Sequence, residues 1–362
     1  MKNTLSAPKR RPNEYSQLLV PLIAVALLVV FNLLRDPGFF SIGLTTSSSG
    51  YTVLTGNLIS IFNGASELAV LSMGMTLVTA ASGGQDISVG ALAAIAGSVF
   101  VKIIGGSTSG SGWVVLLAFL ACCLVAMLFG AFNGTLVAAF KIQPMIATLI
   151  LYTCGRSIAY WINGGATPTL DNPIVSAIGG FIPSIPVPTP IFIVLLCGGL
   201  FALLKFTTLR LQTQAVGINQ RAARLNGVNT LGIKLFSFVI LGACAAVSGC
   251  ISVGRLSLIN HETLLVEIEM DAILAVAIGG NALSGGKFKM LGSILGAYAI
   301  QALTITLYAM KVPSTAIKAY KAVVIILLVV LGSPVVKSAA GQLWNRLTGK
   351  GRVVGSVGKE VA

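Results

Sequence analysis

The residues of this chain that could do chemistry are a few carboxylates and amides set inside or beside long apolar runs. They are Glu67, Gln85, Asp86, Asn133, Glu269, Asp271 and Asn281. In such surroundings a carboxylate can line a substrate or ion path, and an amide can bind a hydroxyl group. Each can also have only a structural role, as a helix cap or as a hydrogen bond between helices. Both interpretations stay open for all seven residues.

The sequence shows no clear motif for a metal site, a redox site or a nucleotide site. The six cysteines fall inside apolar runs without a CxxC spacing, and His261 is the single histidine, so we expect no metal site and no cofactor. The stretch GGNALSGGKF, 279–288, is similar to a phosphate-binding loop. However, Asn281 stands where the first glycine is needed, and Phe288 follows the lysine. We therefore expect no catalytic residue and no ATP hydrolysis by this chain.

The composition determines which solvent surrounds these residues. Of the 362 residues, 55% are hydrophobic and 9% are charged, whereas soluble domains carry about 25% charged residues. The 24 Lys and Arg against 10 Asp and Glu give a net charge of +14. These cations cluster in the tails and in a few connections, which is typical of cytoplasmic loops of a membrane protein and not of a nucleic-acid-binding surface.

The apolar runs predict an all-α polytopic membrane protein of about ten transmembrane helices, some short or broken. The predicted spans are 17–34, 57–80, 87–104, 113–138, 144–162, 190–209, 232–253, 268–283, 291–310 and 316–332. The run 268–283 is short and begins with acids, so it could span, break midway or be re-entrant. We expect one membrane domain over 17–332, with tails at 1–16 and 333–362.

Lys and Arg near the span ends predict the orientation. The cations that place both termini in the cytoplasm are Lys2, Lys9, Arg10, Arg11, Lys337, Arg346, Lys350, Arg352 and Lys359. Two cytoplasmic termini require an even number of crossings, so the short run should count and the total should be ten. The loop 163–188, which has no Lys or Arg, is then extracytoplasmic. Arg35 and Lys102 lie on the outer side against this rule.

Two halves of the chain carry the same spacing of glycines and acids. At a shift of 202 residues, Gly83, Gly84 and Gly90 align with Gly285, Gly286 and Gly292, and Glu67 aligns with Glu269. Six crossings separate the copies, which predicts a parallel repeat of the kind found in transporters. A broken helix in a membrane survives only where protein or water satisfies its backbone. The glycine pairs therefore indicate a protein-lined interior or a turn at the membrane edge.

A polar segment at 209–234, LRLQTQAVGINQRAARLNGVNTLGIK, joins two of the predicted spans. Between Gly217 and Gly227 it predicts a helix of about two turns with Asn219 as N-cap. A helix this short is marginal alone, so it must pack against something. Arg221 and Arg224 could anchor it to anionic lipid, or the helix could dock a cytoplasmic partner.

Four stretches resemble the inner-membrane permease subunits of monosaccharide ABC importers, of the ribose, arabinose, xylose and galactofuranose type. GMTLVTAASGGQDISVGALAAIAGS at 74–98 is similar to that family's GGIDLSVG region, and QPMIATL at 143–149 to its PFIxTL. AVGINQRAARLNGVN at 215–229 resembles the cytoplasmic coupling loop, a variant of the EAA signature. DAILAVAIGGNALSGGKFKMLGSILGA at 271–297 resembles the family's DAIAAVVLGG stretch.

The resemblance implies a transport subunit with several partners. These are a cytoplasmic ABC ATPase, a second permease chain, an extracytoplasmic sugar-binding protein and a monosaccharide, with loop 163–188 as part of the binding-protein contact. The coupling loop at about 210–231 would contact the ATPase through Gly217, Asn219, Arg221, Ala222, Ala223, Arg224 and Gly227. Arg221 stands where the signature has Glu, and Gln85 replaces an Ile.

Two alternatives remain at this point. Permeases for branched-chain amino acids or nucleosides share the logic of the coupling loop, although the GGxDxSVG and IGGNALSGGK stretches favour a sugar. An ion-coupled secondary transporter could use the carboxylates, but it would have no use for a docking helix.

Overall fold

The computed structural model describes residues 19–46, 52–105, 111–182, 185–204 and 207–332. The predicted tails 1–16 and 333–362, with the Lys and Arg residues from which the orientation was predicted, lie outside the described residues.

Helices dominate the described chain. In order they are α1 Leu19–Arg35, α2 Asn57–Ser82, α3 Val89–Gly105, α4 Gly112–Ala138, α5 Pro144–Ile162, α6 Pro173–Gly179, α7 Thr189–Leu204, α8 Thr208–Ile218, α9 Gln220–Leu225, α10 Thr230–Leu256, α11 Ile268–Ile278, α12 Met290–Ala309 and α13 Ser314–Gly332. Each predicted span contains one of them, because an apolar run satisfies its backbone most simply as a helix.

The helices differ in whether they could cross a membrane alone. Five are long and apolar enough, namely α2, α4, α5, α10 and α12, and α7 with α8 would make a sixth if the bent pair counts as one span. The 11 residues of α11 reach about 16 Å, roughly half of a hydrocarbon core. The total of ten crossings therefore stays a prediction.

A short hairpin departs from the expected all-α fold. Strands β1 Gly43–Thr46 and β2 Thr52–Thr55 pair antiparallel, with Leu44 opposite Leu54. Their sequences, GLTT and TVLT, are rich in β-branched residues, which favour strands. The hairpin directly precedes α2.

Helices α2 and α10 form the centre of the bundle, and glycines let the neighbouring backbones approach them. Gly130 of α4 lies against the Phe238 carbonyl of α10, and Gly242 of α10 lies against the Ala126 carbonyl of α4. Gly249 of α10 likewise packs on Ala93 of α3. Close backbone contact of this kind is how membrane helices gain packing energy without a hydrophobic driving force.

The connections gather at two ends of the bundle that differ in charge. At one end lie 83–88, 139–143, 207–229 and 279–289, which contact one another through pairs such as Gly84 with Pro144 and Gly83 with Ser284. Their charged residues are Lys141, Arg210, Arg221, Arg224, Lys287 and Lys289, with Asp86 as the one acid. We call this the basic end. The opposite end carries Asp36, Asp171, Glu262 and Glu267 in its loops.

The described parts of the loop 163–188, residues 163–182 and 185–188, lie at the opposite end and are partly embedded there. Its helix α6 begins after Asn172, whose side chain accepts from the Ile174 N–H at 2.9 Å. Gly254, near the end of α10, packs on the Val175 carbonyl of α6. The Leu170 N–H donates to the Ser257 carbonyl at 2.8 Å, so α6 seals the end of α10.

Among the described residues, three ion pairs link neighbouring segments in the part of the bundle nearer that end. Glu67 of α2 pairs with Arg255 of α10 at 3.0 Å, and the Glu67 side chain is only 5% exposed. Asp271 of α11 pairs with Lys321 of α13 at 2.6 Å. The Glu267–Lys318 pair, at 2.8 Å, is largely exposed. These pairs neutralise charges that would otherwise be costly to hold among apolar helices.

We expect Arg255→Met to destabilise the fold far more than Lys318→Met. The first change leaves the buried Glu67 carboxylate without its partner, which costs on the order of 3 kcal/mol. The second removes an exposed pair worth less than about 1 kcal/mol. Reversible unfolding in mixed detergent micelles measures both, and equal losses of unfolding free energy would contradict this account of the Glu67–Arg255 pair.

Candidate functional site

The first glycine pair ends α2 with a sharp turn at the basic end. Gly83 adopts φ 67°, in the left-handed region, and its N–H donates to the Thr79 carbonyl at 3.1 Å. A left-handed residue is the usual way to end a helix, and glycine adopts it without a steric penalty. Residues 84–88 then lead into α3.

The second glycine pair lies in the loop between α11 and α12. Asn281 closes this loop, because its Oδ1 accepts from the Lys289 N–H at 2.7 Å and its Nδ2 donates to Ser293 Oγ at 2.8 Å. Gly285 and Gly286 have φ values of 93° and 77°. Burial and the nearby Lys287 ammonium lower the pKa of Lys289, whose Nζ donates to the Gly280 carbonyl at 2.9 Å.

The two glycine turns are in direct backbone contact. The Gly286 N–H donates to the Ala80 carbonyl at 3.0 Å, and Gln85 Nε2 donates to the Leu283 carbonyl at 3.0 Å. A Cβ atom added to Gly285 would lie 2.9 Å from Gly83 Cα, closer than side-chain carbons approach. The stretches that align at a shift of 202 residues therefore touch each other in space.

A third backbone, the end of α8, completes this contact. A side chain on Gly217 would overlap the Ala80 carbonyl and crowd the Gly286 nitrogen, and Ile218 packs on Gly286. We call the meeting of Ala80–Gly83, Ser284–Gly286 and Gly217–Ile218 the glycine crossing. It ties the polar segment to both halves of the bundle through main-chain atoms.

The short helix α9 follows the glycine crossing, and we call this helix the elbow. Asn219 is its N-cap and accepts from the Ala222 N–H at 3.0 Å, which confirms the predicted cap. The Gly227 N–H, just past the helix, donates to the Arg224 carbonyl at 3.0 Å. Helix α9 spans only the six residues Gln220–Leu225, so packing and caps must hold it.

Most of the predicted coupling residues are exposed, namely Asn219, Arg221, Ala222, Arg224 and Gly227, and Gly217 is half-buried. Ala223 is 5% exposed and packs in a cluster with Ala81, Val216 and Ile233. Its methyl group therefore anchors α9 to the bundle, and the contact of Ala223 with a partner stays a prediction.

Asp86 and Asn133 form a buried hydrogen-bonded unit beside the first glycine turn. Asp86 Oδ1 accepts from the Ser88 N–H at 2.7 Å and from Ser88 Oγ at 2.6 Å. Asn133 Nδ2 donates to Ser88 Oγ at 2.9 Å and to Asp86 Oδ2 at 3.4 Å. Both residues are fully buried, so the unit fixes the approach to α3 against α4.

The other candidate carboxylates lie apart from the glycine crossing. Glu67 and Asp271 are held by the ion pairs described above. Glu269 is buried next to Gly90, and its Oε2 has no hydrogen-bond partner among the described residues. The described residues hold no group of three potential metal ligands.

Arg156 is a polar residue of α5 that the sequence analysis did not single out. Its Nη1 donates to the carbonyls of His261, Glu262 and Leu264 at 2.8, 3.2 and 3.1 Å. The loop before α11 therefore depends on this guanidinium. A lone arginine inside an apolar helix was the signal that could have identified it.

In the comparison with known proteins, the matching family and the similar proteins are all permeases. The family model described as "Branched-chain amino acid transport system / permease component" matches residues 57–332. The galactofuranose transporter permease protein YtfT of Escherichia coli (strain K12) is 37% identical, covering 91% of this chain and 93% of the relative. The fructose import permease protein FruF of Bifidobacterium longum (strain NCC 2705) is 32% identical over 91% of both chains. The ribose import permease protein RbsC of Escherichia coli (strain K12) is 33% identical over 86% and 92%. No solved structure matches significantly.

We expect Gly285→Ala to destabilise the fold by about 1–3 kcal/mol, because alanine is strained at a positive φ and its Cβ would press on Gly83. Gly199→Ala is the matched control, since a Cβ there meets nothing within 4 Å. Thermal unfolding of the purified variants in detergent makes the comparison. Equal stability of the two variants would show that the glycine crossing has room for a methyl group at Gly285.

Proposed function

Because the chain belongs to the branched-chain amino acid transport system permease family, we propose that it is the permease subunit of an ABC importer and forms the membrane path for a monosaccharide. The relatives named for galactofuranose, fructose and ribose, each at least 32% identical over most of both chains, favour a sugar over the amino acids of the family's description. The chain is a transport subunit, and ATP hydrolysis is done by a separate ATPase.

The observation that carries the mechanism is the contact between the polar elbow and both glycine turns. When the ATPase moves α9, the displacement reaches Gly217 and Ile218, which touch Ala80 and Gly286. Those residues lie at the end of α2 and in the loop before α12. No side chain separates the three backbones, so little of the motion is absorbed before it reaches the helices that enclose the path.

The orientation follows from the charges of the two ends. The basic end, where the connections of the described bundle carry cations and one buried acid, faces the cytoplasm of the inner membrane by the positive-inside rule. Both termini then lie inside and the chain crosses ten times, with the short α11 counted. The contact between the two glycine turns supports a fold of two parallel pseudo-repeats within one membrane domain, 17–332.

The permease has three protein partners in the assembly, besides lipid and the monosaccharide. A second permease, identical or related, completes the path, and a cytoplasmic ATPase docks on residues 210–231 through the exposed face of α9. A sugar-binding protein docks at the opposite end, where α6 and the loop 163–188 lie.

The polar candidates fall into two groups in this proposal. Gln85, Asp86, Asn133 and Asn281 hold loops and helices together through the hydrogen bonds described above, and Glu67 holds Arg255. Glu269 and Asp271, both on α11, are the carboxylates that line or adjoin the path, because α11 is short and Glu269 has an oxygen without a partner among the described residues.

Reconstitution tests the proposed function. Proteoliposomes containing the permease with its cognate ATPase, supplied with the binding protein and internal ATP, should accumulate one of a panel of labelled pentoses and hexoses. Omitting any component should reduce uptake to background. Uphill uptake by the permease alone, driven by an ion gradient, would establish a secondary transporter in its place.

The glycine crossing makes a sharper prediction within the same system. Gly217→Val should reduce ATP-driven uptake at least about tenfold, because its side chain overlaps Ala80 and forces the elbow away from both turns. Gly199→Val, facing open space, is the matched control. Wild-type uptake by Gly217→Val would show that the motion of α9 is not transmitted to the membrane helices through the glycine crossing.

A further inference from the structure

At the basic end, cations outnumber acids in the described connections. Its one acid, Asp86, is fully buried and hydrogen-bonded to Ser88 and Asn133. The described connections there, 83–88, 139–143, 207–229 and 279–289, contain six Lys and Arg residues. These described connections have no exposed carboxylate.

Three of the cations surround a concave site beside α9. A cavity of about 510 Å³ is lined by Lys141, Gln220, Arg221, Arg224 and Leu225. We call it the basic cup. Lys141 comes from the α4–α5 connection, and the other lining residues come from α9, so the cup forms only where these two segments meet.

The cations of the cup are arranged to receive an anion. Lys141 and Arg221 are exposed and form no hydrogen bond or ion pair with other described residues. Arg224 is held by Thr230, with its Nη2 donating to Thr230 Oγ1 at 3.2 Å. Lys234 lies behind the cup, and its Nζ donates to Gln220 Oε1 at 3.0 Å. This cation also keeps the Gln220 oxygen occupied, so the cup presents positive charge.

We propose that the basic cup receives a carboxylate side chain of the partner ATPase, an inference that rests on the proposed function. Two guanidinium groups and an ammonium can give a carboxylate several charge-assisted hydrogen bonds, and the like charges around the cup gain from being neutralised. The rim favours a protein over a lipid headgroup. Leu225 is 89% exposed and Ile218 is 74% exposed, and isolated apolar side chains beside a charged pocket are typical anchors of a protein interface.

Charge reversal in the intact assembly tests this inference. The permease is co-expressed with its cognate ATPase, and retention of the ATPase on immobilised permease is measured across a series of NaCl concentrations. Arg221→Glu and Arg224→Glu should each weaken retention at least about tenfold at low salt, with a smaller salt dependence. Arg221→Lys should preserve most retention. Lys311→Glu, an exposed reversal at the opposite end, should leave retention unchanged.

Zero-length cross-linking identifies the partner group directly. A carbodiimide joins the Lys141 amine to a carboxylate as an amide, and the reagent takes up the water that is lost. Mass spectrometry should find Lys141 joined to an Asp or Glu of the ATPase, and Arg221→Lys should add a second such linkage. Absence of both linkages while the ATPase is bound would overturn the proposal.

Experiments in lipid discs of defined composition distinguish the ATPase from an anionic lipid headgroup as the occupant of the basic cup. In phosphatidylcholine discs, the ATPase alone should protect Lys141 from an amine-acylating reagent. Protection by phosphatidylglycerol without the ATPase, and none by the ATPase in phosphatidylcholine, would assign the cup to lipid and overturn the proposal.

The retention measurements distinguish a failure of the proposed function from a failure of the assignment of the basic cup. If the wild-type permease retains no ATPase at any salt concentration, the proposed function fails. If it retains the ATPase and both Glu variants retain it equally well, only the assignment of the cup fails. Size-exclusion profiles of the variants verify that they are folded.

Discussion

The structure depends on the close approach of three backbones at the glycine crossing. Within a membrane-embedded bundle every polar main-chain group needs a partner, and a helix can end only where protein or water provides one. At the crossing the Gly286 N–H finds the Ala80 carbonyl, and the glycines of the two turns and of α8 leave no room for side chains. Because these glycines have no side chains, the helices can end there. For the same reason the backbones of α8 and of both glycine turns come into contact, which joins the segment α8–α9 to both halves of the chain.

The two ends of the described bundle differ in charge. Buried or half-buried carboxylates, Glu67 and Asp271, are paired with cations from neighbouring helices, which limits the cost of holding them in an apolar setting. At the basic end, the exposed cations Lys141, Arg221 and Arg224 lie around α9. In the proposed assembly the ATPase docks at that end, and the basic cup requires a carboxylate on the surface of the ATPase.

Much of the fold could be predicted from the sequence because its signals are local. Apolar length predicted where helices form, and Asn219 was identified as a cap because capping depends on neighbouring residues. The burial of Ala223 and the role of Arg156 depend on contacts between distant segments, which no local pattern encodes. The repeat of glycines and acids indicated that two stretches are related, but only the structure brings them into contact. The hairpin was missed because two strands of four residues lie within an otherwise helical chain.

The most direct test of the central claim is the structure of this permease bound to its cognate ATPase, determined in a lipid nanodisc. The account predicts the ATPase seated over Ile218 and Leu225, with a carboxylate within about 4 Å of Arg221 or Arg224. It also predicts that the glycine crossing remains closed beneath the ATPase. An ATPase bound elsewhere, with α9 facing solvent in an assembly that still imports sugar, would contradict it.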